Sequence, residues 1–80
     1  MSRVTLLYFA SLRDATGCAS EAVEVDSPLL SSVYECQRSR YGFAMPMERL
    51  RVAINGAFVD WTAIAADGDE IAFIPPVSGG

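Results

Sequence analysis

From Val4 to Ala10 the chain is almost wholly apolar and rich in β-formers, the pattern of a strand covered at least in part on both faces. Side chains alternate across a strand, so Val4, Leu6 and Tyr8 share one side while Thr5, Leu7 and Phe9 share the other. Ser11 to Thr16 follows as one short helical turn, with Ser11 as its N-cap and Gly17 as its stop. Glu21 to Val25 alternates polar and apolar residues and predicts a second strand, hairpinned with the first. Asp26-Ser27-Pro28 couples a capping side chain to a first-turn proline, which predicts a helix from Pro28 to Tyr41 ended by Gly42. The apolar stripe of that helix is Leu29, Leu30, Val33, Cys36 and Gln37, which assigns Cys36 to core packing. Arg38 and Arg40 stand near its C-terminus, where the helix dipole favours cations.

Residues 42–48 read as a loop returning to the sheet. Arg51 to Ile54 and Ala57 to Val59 are β-rich runs joined by Asn55-Gly56, the strongest short hairpin signal in the sequence. Trp61 and Ile64 are expected to pack within the next connection, which turns at Asp67-Gly68-Asp69. Glu70 to Ile74 is then a last strand closed by Pro75. The first and last strands are the most apolar, so they belong side by side in the middle of one mixed sheet, with the long helix across one face. That is an α+β, β-grasp (ubiquitin-like) arrangement: one domain over residues 1–80, with an extended tail over 75–80. If Ile71 and Phe73 face the helix, Ala72 and Ile74 face away with Leu7 and Phe9, and Phe58 joins them. An apolar face with no second helix over it marks a partner surface.

Composition narrows the function classes. At 80 residues a fold hides only a little over ~60% of its unfolded surface. It has no room for both a core and a cofactor cavity, so a partner is expected to supply any reaction pocket. The formal net charge is −4, and all six basic residues are arginine. Such a chain repels phosphate backbones, which argues against nucleic acid and for basic protein surfaces as partners. The lack of histidine removes the commonest proton shuttle and metal ligand. Cys18 and Cys36 form no CxxC pair, so no metal site is expected, and both read as reduced thiols of a cytosolic protein. MSRVTLLYFASLRD is not a secretion signal and no apolar run approaches the ~20 residues of a membrane span, so a soluble, cytoplasmic protein is expected.

The sequence closes on PPVSGG. From Ile71 to Gly80 there is no charged side chain, and six residues beyond the last strand reach roughly 20 Å when extended. Pro75-Pro76 favours a stiff exit, whereas Gly79-Gly80 fits a channel too narrow for larger residues. The group delivered is a carboxylate, which acylates poorly until its oxygen leaves with AMP; a sulfur or amine nucleophile then displaces AMP. The chain has no glycine-rich phosphate loop for that step, so ATP would be used by an adenylating partner and no cofactor is expected on the chain itself.

YFASLRDATG near the start, VAING in the hairpin and DGDEIAFIPPVSGG at the end resemble the small, sulfur-carrier subunit of molybdopterin synthase, the MoaD family. The resemblance runs over nearly the whole chain; residues 38–50 and the Trp61 region carry little of it. It implies that Gly80 is adenylated by an E1-like, MoeB-type enzyme and converted to a thiocarboxylate with sulfur from a donor protein. Gly79 would accompany it into the pocket of a large, MoaE-type subunit of a heterotetramer, where the sulfur attacks cyclic pyranopterin monophosphate. Phe9, Phe58 and Ile74 match family positions that form the apolar contact with both partners, and Pro75, Pro76, Val77 and Ser78 would line the path. Arg13 would be a polar contact at the rim. The rivals are a ThiS-type carrier for thiazole synthesis, a ubiquitin-like modifier attacked by a lysine amine, and a plain interaction domain with a loose end.

Overall fold

The computed structural model describes residues 2–76 of the chain. The expectations placed on Val77, Ser78, Gly79 and Gly80 lie outside the described residues. In chain order the elements are β1 (Ser2–Tyr8), α1 (Ser11–Thr16), β2 (Ser20–Val25), α2 (Leu30–Tyr41), a 3-10 turn (Met47–Arg49), β3 (Arg51–Ile54), β4 (Ala57–Val59) and β5 (Glu70–Ile74). The strands form one five-stranded sheet in the order β2-β1-β5-β3-β4. β1 and β5 are parallel, with Leu6 beside Ile71 and Tyr8 beside Phe73; the other pairings are antiparallel. The fold is therefore the β-grasp arrangement, with the two most apolar strands paired side by side inside the sheet, where each is hydrogen-bonded along both edges and buries one face under α2.

α2 packs its Leu30, Val33, Tyr34 and Gln37 onto Val4, Leu6, Tyr8, Ile71, Phe73 and Val52. Aromatic rings dominate this layer. Trp61 stacks on Phe73 with ring centroids 6.0 Å apart, and Tyr34 lies 5.2 Å from Phe73 edge-to-face. Trp61 thus roofs one end of the core, as its position in the connection suggested. Ile64 does not pack there: it is 68% exposed, although its backbone bridges to Leu29.

The helix boundaries correct the sequence reading. α2 begins at Leu30, not Pro28, and neither Asp26 nor Ser27 caps it. The amides of Leu30 and Ser31 donate instead to the carbonyls of Ala63 and Trp61, at 3.0 and 3.2 Å. Its first turn is thus satisfied by backbone far along the chain, which a local motif does not reveal. Cys36 is exposed, and the stripe runs through Tyr34 in its place. At the other end the expectation holds: Gly42 adopts the left-handed conformation and its amide donates to Arg38 O at 2.7 Å. α1 spans Ser11–Thr16 as predicted, but Ala10, not Ser11, is its N-cap residue, at φ 50° with no side-chain cap. β1 is shifted two residues toward the N-terminus of the predicted span.

Asn55 and Gly56 both have positive φ, as the tight hairpin turn requires. Asn55 also reaches across to β5: its Oδ1 accepts from the Glu70 amide at 2.9 Å and its Nδ2 donates to Asp69 Oδ1 at 3.0 Å. The turn is thereby tied to the start of the central strand and holds the register of β3 against β5.

Candidate functional site

Ile71 and Phe73 are fully buried beneath α2, so strand alternation turns Ala72 and Ile74 to the opposite face. The register then builds a continuous row across four strands: Leu7 beside Ala72, Ala72 beside Ala53, and Ala53 beside Phe58. None of these residues joins the core cluster under the helix. A second row lies one step toward the end of β5. Arg51 is opposite Ile74, and Phe9 follows Tyr8 as Ile74 follows Phe73. Phe9 is 44% and Phe58 62% exposed, the largest apolar side chains open on this face. The two alanines are nearly closed off between bulkier neighbours, so the face is a shallow valley floored by Ala53 and Ala72 and walled by Leu7 and Phe58.

This geometry brings together the predicted contact residues Phe9, Phe58 and Ile74. It also sets them at the root of the tail, because β5 passes directly from Ile74 to Pro75 and Pro76, of which Pro76 is exposed. Arg13 is exposed on α1, just past Phe9, and makes no ion pair among the described residues. One residue on this face escaped the sequence reading. The Arg51 guanidinium lies over the Phe58 ring, 4.7 Å from its centroid, next to Ile74. The hairpin register around Asn55-Gly56, carried one pair further than Val52 and Val59, would have found it.

The titratable side chains with displaced pKa values lie on the other side of the sheet. The Tyr8 hydroxyl donates to Glu21 Oε2 at 2.8 Å and accepts from Gln37 Nε2 at 2.9 Å. Tyr41 donates to the same carboxylate oxygen at 2.6 Å, and Arg40 approaches Glu21 Oε1 at 3.8 Å. Burial, the largest influence, pushes the Tyr8 hydroxyl far above the tyrosine range, with Glu21 adding to it. Tyr34 is raised by burial. Tyr41 is raised chiefly by its hydrogen bond to Glu21. Tyr8 and Tyr41 both donate to Glu21, and Gln37 donates to Tyr8, so the cluster ties β1, β2 and α2 together. Among the described residues no group of three or more His, Cys, Asp or Glu could hold a metal ion. No described helix is long and apolar enough to cross a membrane.

Three comparisons with known proteins bear on this face and tail. The ThiS family model matches residues 6–80. The molybdopterin synthase sulfur carrier subunit of Escherichia coli (strain K12) is 32% identical over 80 residues, covering 96% of this chain and 99% of that protein. Among solved structures, a putative molybdopterin converting factor, subunit 1, from Pyrococcus furiosus superposes with a TM-score of 0.79 at 25% identity, covering 96% of this chain and 100% of that one. The small archaeal modifier protein 1 from Methanosarcina acetivorans superposes with a TM-score of 0.78, also at 25% identity, over 100% of this chain and 98% of that one.

Proposed function

We propose that this chain, which belongs to the ThiS family, is a sulfur carrier that docks by the open sheet face and presents Gly80 to a partner's active site. The observation that carries the reading is the parallel pairing of β1 with β5, Tyr8 beside Phe73, which brings the ends of both strands, followed by the exposed Phe9 and by Ile74 and the tail root, to the same end of the sheet. A partner that covers this face controls where the tail goes. The family match running through residue 80 supports a role for the tail itself.

In the reaction, an E1-like enzyme joins the Gly80 carboxylate to AMP with release of pyrophosphate. Sulfur from a donor protein then displaces AMP and leaves a thiocarboxylate. Docked on a large synthase subunit, the thiocarboxylate sulfur attacks cyclic pyranopterin monophosphate, water then cleaves the Gly80 carbonyl–sulfur bond to return the carboxylate and leave the sulfur on the pterin, and two carriers supply the two dithiolene sulfurs. The carrier contributes positioning and the sulfur atom; the pocket, the acid and base groups and the ATP site belong to partners. Gly79 and Gly80 pass a narrow channel, Val77 and Ser78 span it, Pro75 and Pro76 aim it, and Arg13 meets the partner's rim. A ThiS-type role in thiazole synthesis shares every step up to the thiocarboxylate. The relative named for molybdopterin synthase, matched over nearly its whole length, favours the molybdenum branch.

The test is reconstitution. Thiocarboxylated full-length chain, the large subunit and cyclic pyranopterin monophosphate should yield molybdopterin, and a variant lacking Gly80 should yield none. A chain that never supplies sulfur to the pterin, beside an active control carrier, would reject the reading. Protein modification is a second reading, favoured by the likeness to the archaeal modifier. It predicts higher-mass conjugates in cell extract that survive thiol treatment. With no lysine in the chain, such conjugates would carry it as a single unit and not as lysine-linked chains of itself.

A further inference from the structure

We infer that Arg51 orients the docked complex by binding a carboxylate of the large subunit at the root of the tail. The inference rests on the proposed role and adds to it the chemistry of one partner contact.

Arg51 occupies the one step of the open face where β3 lies opposite Ile74, the last residue of β5. The Phe58 ring centroid lies 4.7 Å from its guanidinium carbon, within cation–π reach. The guanidinium N–H groups form a planar fork that matches a carboxylate in two parallel hydrogen bonds. Lysine lacks that geometry. Two other arginines of the chain are already engaged: Arg38 approaches Glu35 and donates to the Phe43 carbonyl, and Arg40 approaches Glu21. Arg51 has no ion pair within 4.0 Å among the described residues, although Asp60 shares with it the shallow depression beside Phe58. The cation thus sits against a ring with a carboxylate nearby but no direct ion pair within 4.0 Å among the described residues.

Its surroundings make the position informative. The face carries Glu70 at its opposite end, beside Thr5, and the whole chain has a formal net charge of −4. A partner carboxylate is attracted at Arg51 and repelled when the complex is turned end for end. Apolar contacts alone, on a valley floored by alanines, do not distinguish the two orientations as sharply. The charge therefore selects the pose in which the tail points into the partner's pocket.

The experiment is a titration of the purified large subunit with the full-length chain at several salt concentrations, using the wild type, R51A, R51K, R51E and Phe9→Ser. Thermal unfolding of each variant confirms that the exposed change leaves the fold intact. R51A is expected to weaken binding about tenfold and to flatten the salt dependence. R51K is expected to keep the salt dependence at intermediate affinity. R51E is expected to bind worse than R51A, and reversal of one Asp or Glu on the large subunit to Arg should restore it. If R51A and R51E bind within about twofold of wild type while Phe9→Ser binds poorly, the docking face stands and the role of Arg51 is overturned. Loss in R51A with an unchanged salt dependence and no reversal partner also overturns it, because the loss then belongs to Phe58 packing. Failure of the wild-type chain to bind at all rejects the functional reading and this inference together.

Discussion

Replacing Phe58 by alanine separates docking from folding. Phe58 lies on the edge strand β4, and 62% of it is exposed in the free chain. With roughly 200 Å² of surface for a phenylalanine, about 120 Å² remains for a partner to cover. At about 25 cal/mol per Å², complete cover contributes about 3 kcal/mol to the complex and half cover about 1.5 kcal/mol. The dissociation constant should therefore rise between about tenfold and about a hundredfold. Within the domain, the covered part of the ring and the Arg51 guanidinium above it account for about 1–2 kcal/mol, so the thermal midpoint should fall by about 10 °C and the chain should stay folded at room temperature. Calorimetric titration against the large subunit and against the adenylating enzyme measures the first quantity, and thermal unfolding the second. Binding within about threefold of wild type to both proteins would refute the assignment of this face as the docking surface. A chain already unfolded at room temperature would refute the reading of Phe58 as a surface residue.

Three further predictions concern the scaffold. Tyr8, Tyr34 and Tyr41 all have pKa values above the ordinary 10.0 in the folded chain, so folding favours their neutral form; that stabilisation is complete below about pH 10 and fades as pH rises past it. Urea midpoints should hold near neutral pH and drop in strong base, with Tyr8→Phe costing about 1–3 kcal/mol at neutral pH because Gln37 loses its 2.9 Å acceptor and keeps only Glu21 at 3.5 Å; equal midpoints for wild type and variant would contradict this. Ala10 has φ 50° without being glycine, so Ala10→Gly should raise stability by about 1 kcal/mol, and a lower urea midpoint would show that the strain is absent. Asn55→Ala should cost about 1–2 kcal/mol through the lost turn preference and the lost bonds to Glu70 and Asp69, which amide exchange should locate at the β3–β4 turn and the start of β5; unaltered protection there would reject the tie.

The sheet was legible because its signals are local or strongly apolar. Asn55-Gly56 announced the hairpin, Gly17 and Gly42 the helix ends, and the apolar first and last strands their central pairing. Parity alone then placed Phe9 and Ile74 on one face, since a side-chain period of two needs no tertiary information. What the sequence concealed depends on partners distant along the chain. The first turn of α2 is capped by Ala63 and Trp61 carbonyls, so Asp26 and Ser27, though suited to capping, go unused. Cys36 has the hydrophobicity of a core residue, but Tyr34 fills the space because its hydroxyl reaches the Met45 carbonyl at 2.6 Å and stays satisfied while its ring is buried. Glu21 reads as the polar half of an alternating strand, yet it faces the helix and collects two tyrosine hydroxyls. The hairpin register around Asn55-Gly56 brings Arg51 near Phe58, but its place opposite Ile74 depends on the pairing of β3 with β5, which no local signal reveals.

The proposed role turns on sulfur carried at Gly80. Its most direct test is the intact mass of the full-length chain after incubation with ATP, an E1-like adenylating enzyme and a sulfide source, beside a variant lacking Gly80. The expected result is a mass gain equal to the exchange of one oxygen for sulfur, present in the full chain and absent in the variant. An unchanged mass, with the same enzyme demonstrably active on another carrier, would contradict it.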